Sequence, residues 1–263
     1  MPSDRWDPTE YNRFRAERSQ PLFDLLSLVR ASPGMTALDL GAGTGEWTRH
    51  LHVALAAATT LGIDRSDAML AKAAELEPAP GLSFAAKDIA TWARGRRSDE
   101  SYDLIFSNAA LHWLPSHDAL FASLRDALRP HGQLAVQVPA NFDHPTHVIA
   151  ADLARDAAFA AELTGQAAPS VLAPERYATL LHRLGFVEQH VRLQVYAHVL
   201  PKRDDVLAWV KGTLLTDYAS RLSAGSFATF LGRYRERLFA VLPDERPFFY
   251  PFKRILLWAR RGA

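Results

Sequence analysis

Apolar residues change their period along this chain. Leu22, Leu25, Leu26 and Val29 recur at i, i+3, i+4 and i+7, which predicts a helix capped by Ser19 and stopped by Pro33-Gly34. Short apolar or β-prone segments follow at Thr36–Leu40, Thr60–Ile63, Leu82–Ala86, Tyr102–Ser107 and Leu134–Val138. Helix-like stretches such as Asp67–Leu76 and His117–Leu128 separate them, and 76–81 and 93–101 read as surface connections. That alternation predicts an α/β fold, a parallel sheet with crossover helices. Beyond Pro139 the rhythm breaks. Helices are expected over 146–163, in a stretch ending at Gly185, and over 204–216 and 226–242, with strands over 187–199 and 252–259. The expected organisation is one main domain over 1–263, with helical cap insertions at 140–185 and 200–250.

Composition narrows the partners. The 263 residues are 48% apolar, enough for a sizeable core, and carry a formal charge of +1, which creates no global field toward nucleic acid or an anionic membrane. Any anion recognition must be local. There is no cysteine, so disulfides, thiolate metal sites and a cysteine nucleophile are excluded. The segment Met1–Asp7 is polar, and no apolar run approaches the ~18 residues of a membrane span, so a cytoplasmic protein is expected.

The most specific local signal is Asp39-Leu40-Gly41-Ala42-Gly43-Thr44-Gly45, a strand entering a glycine-rich turn. Glycine there lets a ligand approach the main chain without meeting a Cβ; an ordinary tight βα turn is the bland alternative. A dinucleotide fingerprint would need its third glycine where Glu46 stands. Asp39 places a carboxylate suited to a cationic amino group and not to a pyrophosphate. Leu61-Gly62-Ile63-Asp64, with Arg65 adjoining, puts an acid about twenty residues past the turn, where it could accept ribose hydroxyls or help cap the next helix with Ser66. After the third strand, Asp88 could accept from an adenine amino group while Ile89 and Met69 pack on the purine; equally, Asp88 could cap a helix and Met69 fill core. Asn108, His112 and Trp113 follow the fourth strand, at the edge where such sheets bind ligands.

The DLGAGTG turn, the LGID strand end, the KDI segment and SNAALHWLPSH resemble class I S-adenosylmethionine-dependent methyltransferases. Trp6-Asp7-Pro8 through Tyr11, Ala16–Pro21, Leu134–Pro139, Pro145–Val148, Trp209–Thr213 and Phe252–Arg261 extend the similarity to the trans-aconitate 2-methyltransferase family across nearly the whole chain. A local departure is Glu46-Trp47. The resemblance implies a Rossmann-like, seven-stranded, mostly parallel sheet with the last strand inserted antiparallel, flanked by helices and bearing a helical cap. It implies S-adenosyl-L-methionine as methyl donor, S-adenosyl-L-homocysteine as product, and a carboxylate of a small polycarboxylic acid as acceptor. No metal is required, because a carboxylate with a pKa near ~4 is already ionised at neutral pH. Asn108, His112 and Trp113 are then positioning candidates.

The unreacting carboxylates need donors, and arginine offers planar bidentate ones. Arg13, Arg15 and Arg18 in an expected lid over 1–18, interleaved with Trp6, Tyr11 and Phe14, are the first choice. His144, His147, Lys211, Arg233, Tyr234, Arg235 and Arg237 are the others. Two further classes share parts of the pattern: a carboxyl methyltransferase acting on a malonyl thioester on a carrier protein, and a nicotinamide-dependent oxidoreductase. A noncatalytic cofactor-binding module is a third possibility. Sequence does not give the oligomeric state.

Overall fold

A computed structural model describes residues 15–97, 100–164 and 170–263, the first four of these as helical main chain only. The strands are β1 (Thr36–Leu40), β2 (Thr59–Asp64), β3 (Leu82–Ala86), β4 (Tyr102–Asn108), β5 (Leu128–Pro139), β6 (Phe186–Leu200) and β7 (Phe248–Arg261). The helices are α1 (Arg15–Leu26), α2 (Glu46–Ala54), α3 (Asp67–Ala73), α4 (Ile89–Gly95), α5 (His117–Asp126), α6 (Pro145–Ala154), α7 (Ala157–Ala160), α8 (Pro174–Arg183), α9 (Asp204–Lys211), α10 (Leu214–Arg221) and α11 (Ala224–Val241). Among the described residues, contacts divide the chain into two compact units: 21–97 and 100–139 with 170–194 and 254–263, and 15–20 with 140–164 and 195–253.

The first unit is built on a seven-stranded sheet in the order β3-β2-β1-β4-β5-β7-β6. β1 pairs in parallel with β2 and β4, β2 with β3, and β4 with β5, whereas β7 runs antiparallel to β5. The expected antiparallel insertion of the last strand is therefore present. Central strands covered on both faces read as unbroken apolar runs, and Ala37, Leu38, Leu40, Leu104, Ile105, Ala135 and Val136 are fully buried.

Several boundaries differ from the sequence reading for local reasons. Ser19 is not a cap: α1 already begins at Arg15 and runs through Pro21 to Leu26, the burial of Leu22 and Leu25 offsetting the lost N–H bond and the ring clash of an interior proline. The helix expected to reach Leu128 ends at Asp126, and Leu128 opens β5. The helix expected over 146–163 is two, α6 and α7, since Asp156 starts a new N-terminus by accepting from Ala158 N–H at 3.1 Å. The one expected over 204–216 is broken at Gly212, a weak helix former. Helix α8, expected within an insertion, belongs to the sheet-bearing unit through its buried residues Tyr177, Leu180 and Leu181.

A buried polar relay fixes α8 to the segment after β4. His117, at the start of α5, is 1% exposed; its Nε2 lies 3.0 Å from the Leu111 carbonyl and its Nδ1 meets the Tyr177 hydroxyl. A carbonyl can only accept, so Nε2 carries the proton and Nδ1 accepts from Tyr177. Burial holds the His117 pKa below the ordinary histidine value and keeps this neutral form. The stretch it braces is flanked by two non-glycine residues at positive φ, Ala109 at 54° and Ser116 at 57°, a backbone that persists only where surroundings dictate it.

The second unit has its own core, in which Phe159, Trp209, Phe230, Tyr234 and Tyr250 are among the fully buried side chains. Tyr234 donates to the Thr146 carbonyl at 3.0 Å, joining α11 to α6. Among the described residues no helix is long and apolar enough to cross a membrane.

Removing the phenolic hydroxyl strands the His117 acceptor inside the core. Tyr177→Phe is accordingly expected to lower stability by about 1–3 kcal/mol, read as a shifted urea midpoint at unchanged slope. An unshifted midpoint would show that the relay contributes nothing.

Candidate functional site

Parallel strands end where the ligand crevice of an α/β sheet lies, and the predicted residues collect at that edge of the first unit. Gly41, Gly43 and Gly45 all have positive φ, at 85°, 55° and 76°. Their surroundings differ. A Cβ on Gly41 would collide with Ala110, and one on Gly45 would come within 2.7 Å of Phe84, so these two glycines serve packing. A Cβ on Gly43 would meet nothing within 4 Å. The main chain is thus bare toward open space at this one glycine.

Asp64 joins the turn to the end of β2. Its Oδ2 accepts from Gly43 N–H and its Oδ1 from Ser66 N–H, each at 2.9 Å. The helix cap comes from Ser66, which accepts from Met69 N–H at 3.3 Å, so the carboxylate is not consumed as a cap. Each carboxylate oxygen retains a second lone pair for a hydroxyl donor. Arg65 is exposed, and Met69 is half-buried on α3.

Asp88 does cap α4, accepting from Thr91 N–H at 2.8 Å, and that bond holds its pKa below the ordinary aspartate value, with Arg65 adding to the effect. Ile89 beside it is half-buried. Asn108 ends β4, and its Oδ1 is buried without a hydrogen-bond partner. His112 and Trp113 sit on a 3-10 turn with ring centroids 4.6 Å apart, and Trp113 is half exposed.

Asp39 is buried on β1, where it accepts from Thr48 Oγ at 2.6 Å. Burial raises its pKa to about 6; the Thr48 bond opposes this and the nearby Asp64 charge adds to it. A carboxylate held uphill in this way favours a cation beside it.

The other predicted positions fall elsewhere. Arg13 lies outside the described residues, as does most of the expected lid, and Arg15 and Arg18 are described only as helical main chain. In the second unit, His144 caps α6 by accepting from Thr146 N–H, with its ring 5.1 Å from Tyr250, and burial lowers its pKa. Burial lowers that of His147 to about 4, so both rings are neutral near pH 7 and offer hydrogen bonds instead of charge to an anion. Lys211 is exposed. Arg233 pairs with Asp156, Arg235 lies 3.9 Å from Asp204 and Arg237 is exposed, a solvated helix face, whereas Tyr234 is core.

Sequence reasoning missed Thr48, Gln137, Arg254 and the His117–Tyr177 pair as residues bearing on the site. Gln137 did leave a signal: it is the lone polar residue within the run 134–138. Among the described residues no group of three or more His, Asp or Glu is placed to hold a metal.

The bare main chain at Gly43, the bridging Asp64, the buried Asp39 and the orphaned Asn108 acceptor fit an adenosine-bearing cation. With this sheet order, they define a methyltransferase of the class that uses S-adenosyl-L-methionine. A family model described as a methyltransferase domain matches residues 11–191. Over 97% of its length the chain is 43% identical to a trans-aconitate 2-methyltransferase of Deinococcus radiodurans, covering 98% of that protein. It is 39% identical over 98% to that of Streptomyces avermitilis, of which 97% is covered. It is 34% identical over 97% to that of Escherichia coli O157:H7, of which 98% is covered. The chain belongs to the trans-aconitate 2-methyltransferase family. Among solved structures, a putative methyltransferase from Bacillus halodurans superposes with a TM-score of 0.59 at 15% identity, covering 92% of this chain and 99% of that one. A Haemonchus contortus phosphoethanolamine methyltransferase in complex with S-adenosylhomocysteine gives 0.56 at 16%, covering 93% and 53%. Both share the fold.

The Asp39 pKa implies a stability signature of definite sign. The folded value lies above the unfolded one, so between about pH 4 and pH 6 the native state holds the extra proton and stability falls as pH rises through that window. Asp39→Asn removes the penalty at neutral pH and changes little below pH 4. The gap in thermal midpoint between variant and wild type should therefore widen from pH 4 to pH 7; a constant gap would refute the assignment.

Proposed function

We propose that the chain transfers a methyl group from S-adenosyl-L-methionine to a carboxylate oxygen of a small polycarboxylic acid, trans-aconitate, giving its monomethyl ester. The observation that carries this reading is the 43% identity over 97% of the chain to the Deinococcus radiodurans trans-aconitate 2-methyltransferase. When bound, the cofactor supplies an activated methyl on a sulfonium, so no side chain has to generate the electrophile.

Each residue then has a binding task. Gly43 leaves its main chain open to the cofactor. Asp64 receives the ribose hydroxyls on the lone pairs left by Gly43 and Ser66. Asp39 faces the ammonium group. Asp88, with Ile89 and Met69, borders the adenine, and Asn108 stands at the reacting end. The acceptor arrives already ionised, so the protein needs to align it and keep water out, and no general base is required. Among the sequence-derived positions for the unreacting carboxylates, Arg13, Arg15 and Arg18 remain proposals. His144, His147, Lys211 and Arg235 remain proposals as well. A carrier-bound malonyl thioester would share the cofactor half of this account and differ only in its acceptor.

Two measurements test the proposal. With labelled cofactor, trans-aconitate should yield a base-labile methyl ester, while a carrier-bound thioester should not. In single turnover at saturating substrates, the rate should be flat from about pH 6.5 to 8, and a steep dependence on one deprotonated group would point to an alcohol or amine acceptor.

Substitutions at Gly43 and Gly41 both strain a left-handed backbone and should both lower the thermal midpoint. At Gly43 the added side chain enters open space, so Gly43→Val should in addition lose S-adenosylhomocysteine affinity, whereas Gly41→Ala should lose stability further through its clash with Ala110. Normal turnover by the Gly43 variant would remove the glycine turn from the cofactor site.

A further inference from the structure

The C-terminal edge of the sheet carries a second row of polar groups beyond the cofactor residues. Asn108 on β4 is the register partner of Gln137 on β5, Gln137 is the partner of Leu256 on β7, and Arg254 lies two residues from Leu256. Residues in register, or two apart on one strand, share a face, so Asn108, Gln137 and Arg254 stand on the same side of the sheet. Asp39 is on that face too, since it pairs with Phe106, two residues before Asn108.

Gln137 is completely buried inside an apolar strand. Arg254 is 7% exposed and is the one buried arginine or lysine among the described residues. Arg254 Nη1 donates to Gln137 Oε1 at 3.4 Å. A guanidinium has no acceptor, so this bond settles which way the amide faces: the oxygen toward Arg254, the NH2 group away from it. That NH2 group is buried and has no hydrogen-bond partner. Asn108 Oδ1, on the neighbouring strand, is buried without one as well. The two orphans are in register and do not satisfy each other.

An oriented, buried, unsatisfied donor beside a guanidinium is destabilising by itself and becomes favourable when an anionic acceptor reaches it. The face has a matching polarity. It runs from the Asp39 carboxyl on β1, through the free acceptor of Asn108 on β4, to the free donor of Gln137 on β5 and the positive Arg254 on β7. A cationic methyl donor suits the first end and an anionic methyl acceptor the second.

We propose that Gln137 and Arg254 form the seat for a carboxylate of the acceptor. Gln137 Nε2 donates to that carboxylate, and Arg254 is a positioning residue that fixes the amide and supplies the opposing charge. The seat rests on the acceptor being a polycarboxylate, as inferred above. It binds a carboxylate that does not react, because a donor on the reacting oxygen would weaken the nucleophile. The seat thus selects acids bearing a second carboxyl group at the right separation.

The test uses the full-length enzyme, trans-aconitate, and glutaconate, mesaconate and itaconate, each lacking a different one of its carboxylates. Gln137→Leu keeps the side-chain volume and removes the donor. It should raise the KM for trans-aconitate by about tenfold or more while S-adenosylhomocysteine affinity and thermal midpoint stay near wild type. For the dicarboxylate that lacks the seated group, the same substitution should leave KM unchanged. Arg254→Lys keeps the charge but not the planar fork, and should give a smaller rise in KM with kcat less affected. Should Gln137→Leu fail to fold, Gln137→Asn, which shortens the reach of the amide, must reproduce the selective rise. Equal KM changes for all four acids, or none for any, would overturn the seat while leaving the proposed reaction standing. Failure of the wild-type enzyme to bind or methylate any of the four would overturn the reaction and the seat together.

Discussion

The carboxylate of Asp64 is the constraint on which the cofactor half of the site depends. A glycine turn with three positive φ angles has no side chains to define its shape, and the flexibility that admits a ligand also raises the entropy lost on ordering. Asp64 compensates by binding the Gly43 and Ser66 amides at once, tying the turn after β1 to the end of β2 and to the start of α3. The two outer glycines add packing that tolerates no Cβ, against Ala110 and Phe84. The middle glycine is left facing open space. Rigidity at the flanks and a bare main chain between them make a preorganised cradle, in which little ordering remains for the moment of binding.

The same edge shows how the chain distributes polar burial. Several buried polar groups are fully satisfied: Ser107 donates to the Leu40 carbonyl, Gln133 exchanges hydrogen bonds with Arg30, and the His117 ring is bonded at both nitrogens. At the strand ends the pattern reverses. Asp39 is held protonated to an unusually high pH, and the Asn108 and Gln137 amides each leave one atom unmade. Native cores satisfy nearly all buried polar groups, so two unmet amide atoms in register on neighbouring strands mark a place where the fold is suited to something it binds and not to its own stability.

Much of this was legible from residue types and spacing. All seven strands were anticipated in place, the central parallel ones because such a strand is a short apolar run whose pattern does not depend on its partners. The cofactor residues were found because a glycine turn and an acid at the next strand end are local in sequence. What escaped was non-local. Nothing near Gln137 says that Arg254, more than a hundred residues away, orients its amide, and nothing near His117 announces Tyr177. Arginines were sought where they cluster, at 13–18 and 233–237, yet clustering is how solvated faces look, and Arg233 and Arg235 lie beside surface carboxylates. The buried arginine stands in the closing strand expected over 252–259, where nothing local in the sequence marks it as buried.

The chemistry explains why positioning groups outnumber titrating ones. An ionised carboxylate and a sulfonium need no proton moved between them, so a histidine titrating near neutrality would add only an unwanted pH dependence. Burial keeps His117, His144 and His147 neutral, and the last remains so down to about pH 4. Asp39 is the instructive case, because its raised pKa is a deficit only while no cation is near. A cationic ligand beside it lowers that pKa and recovers the energy lost in burying the charged carboxylate. Binding selectivity for a charged cofactor over a neutral one follows from that deficit, since only a cation can relieve it.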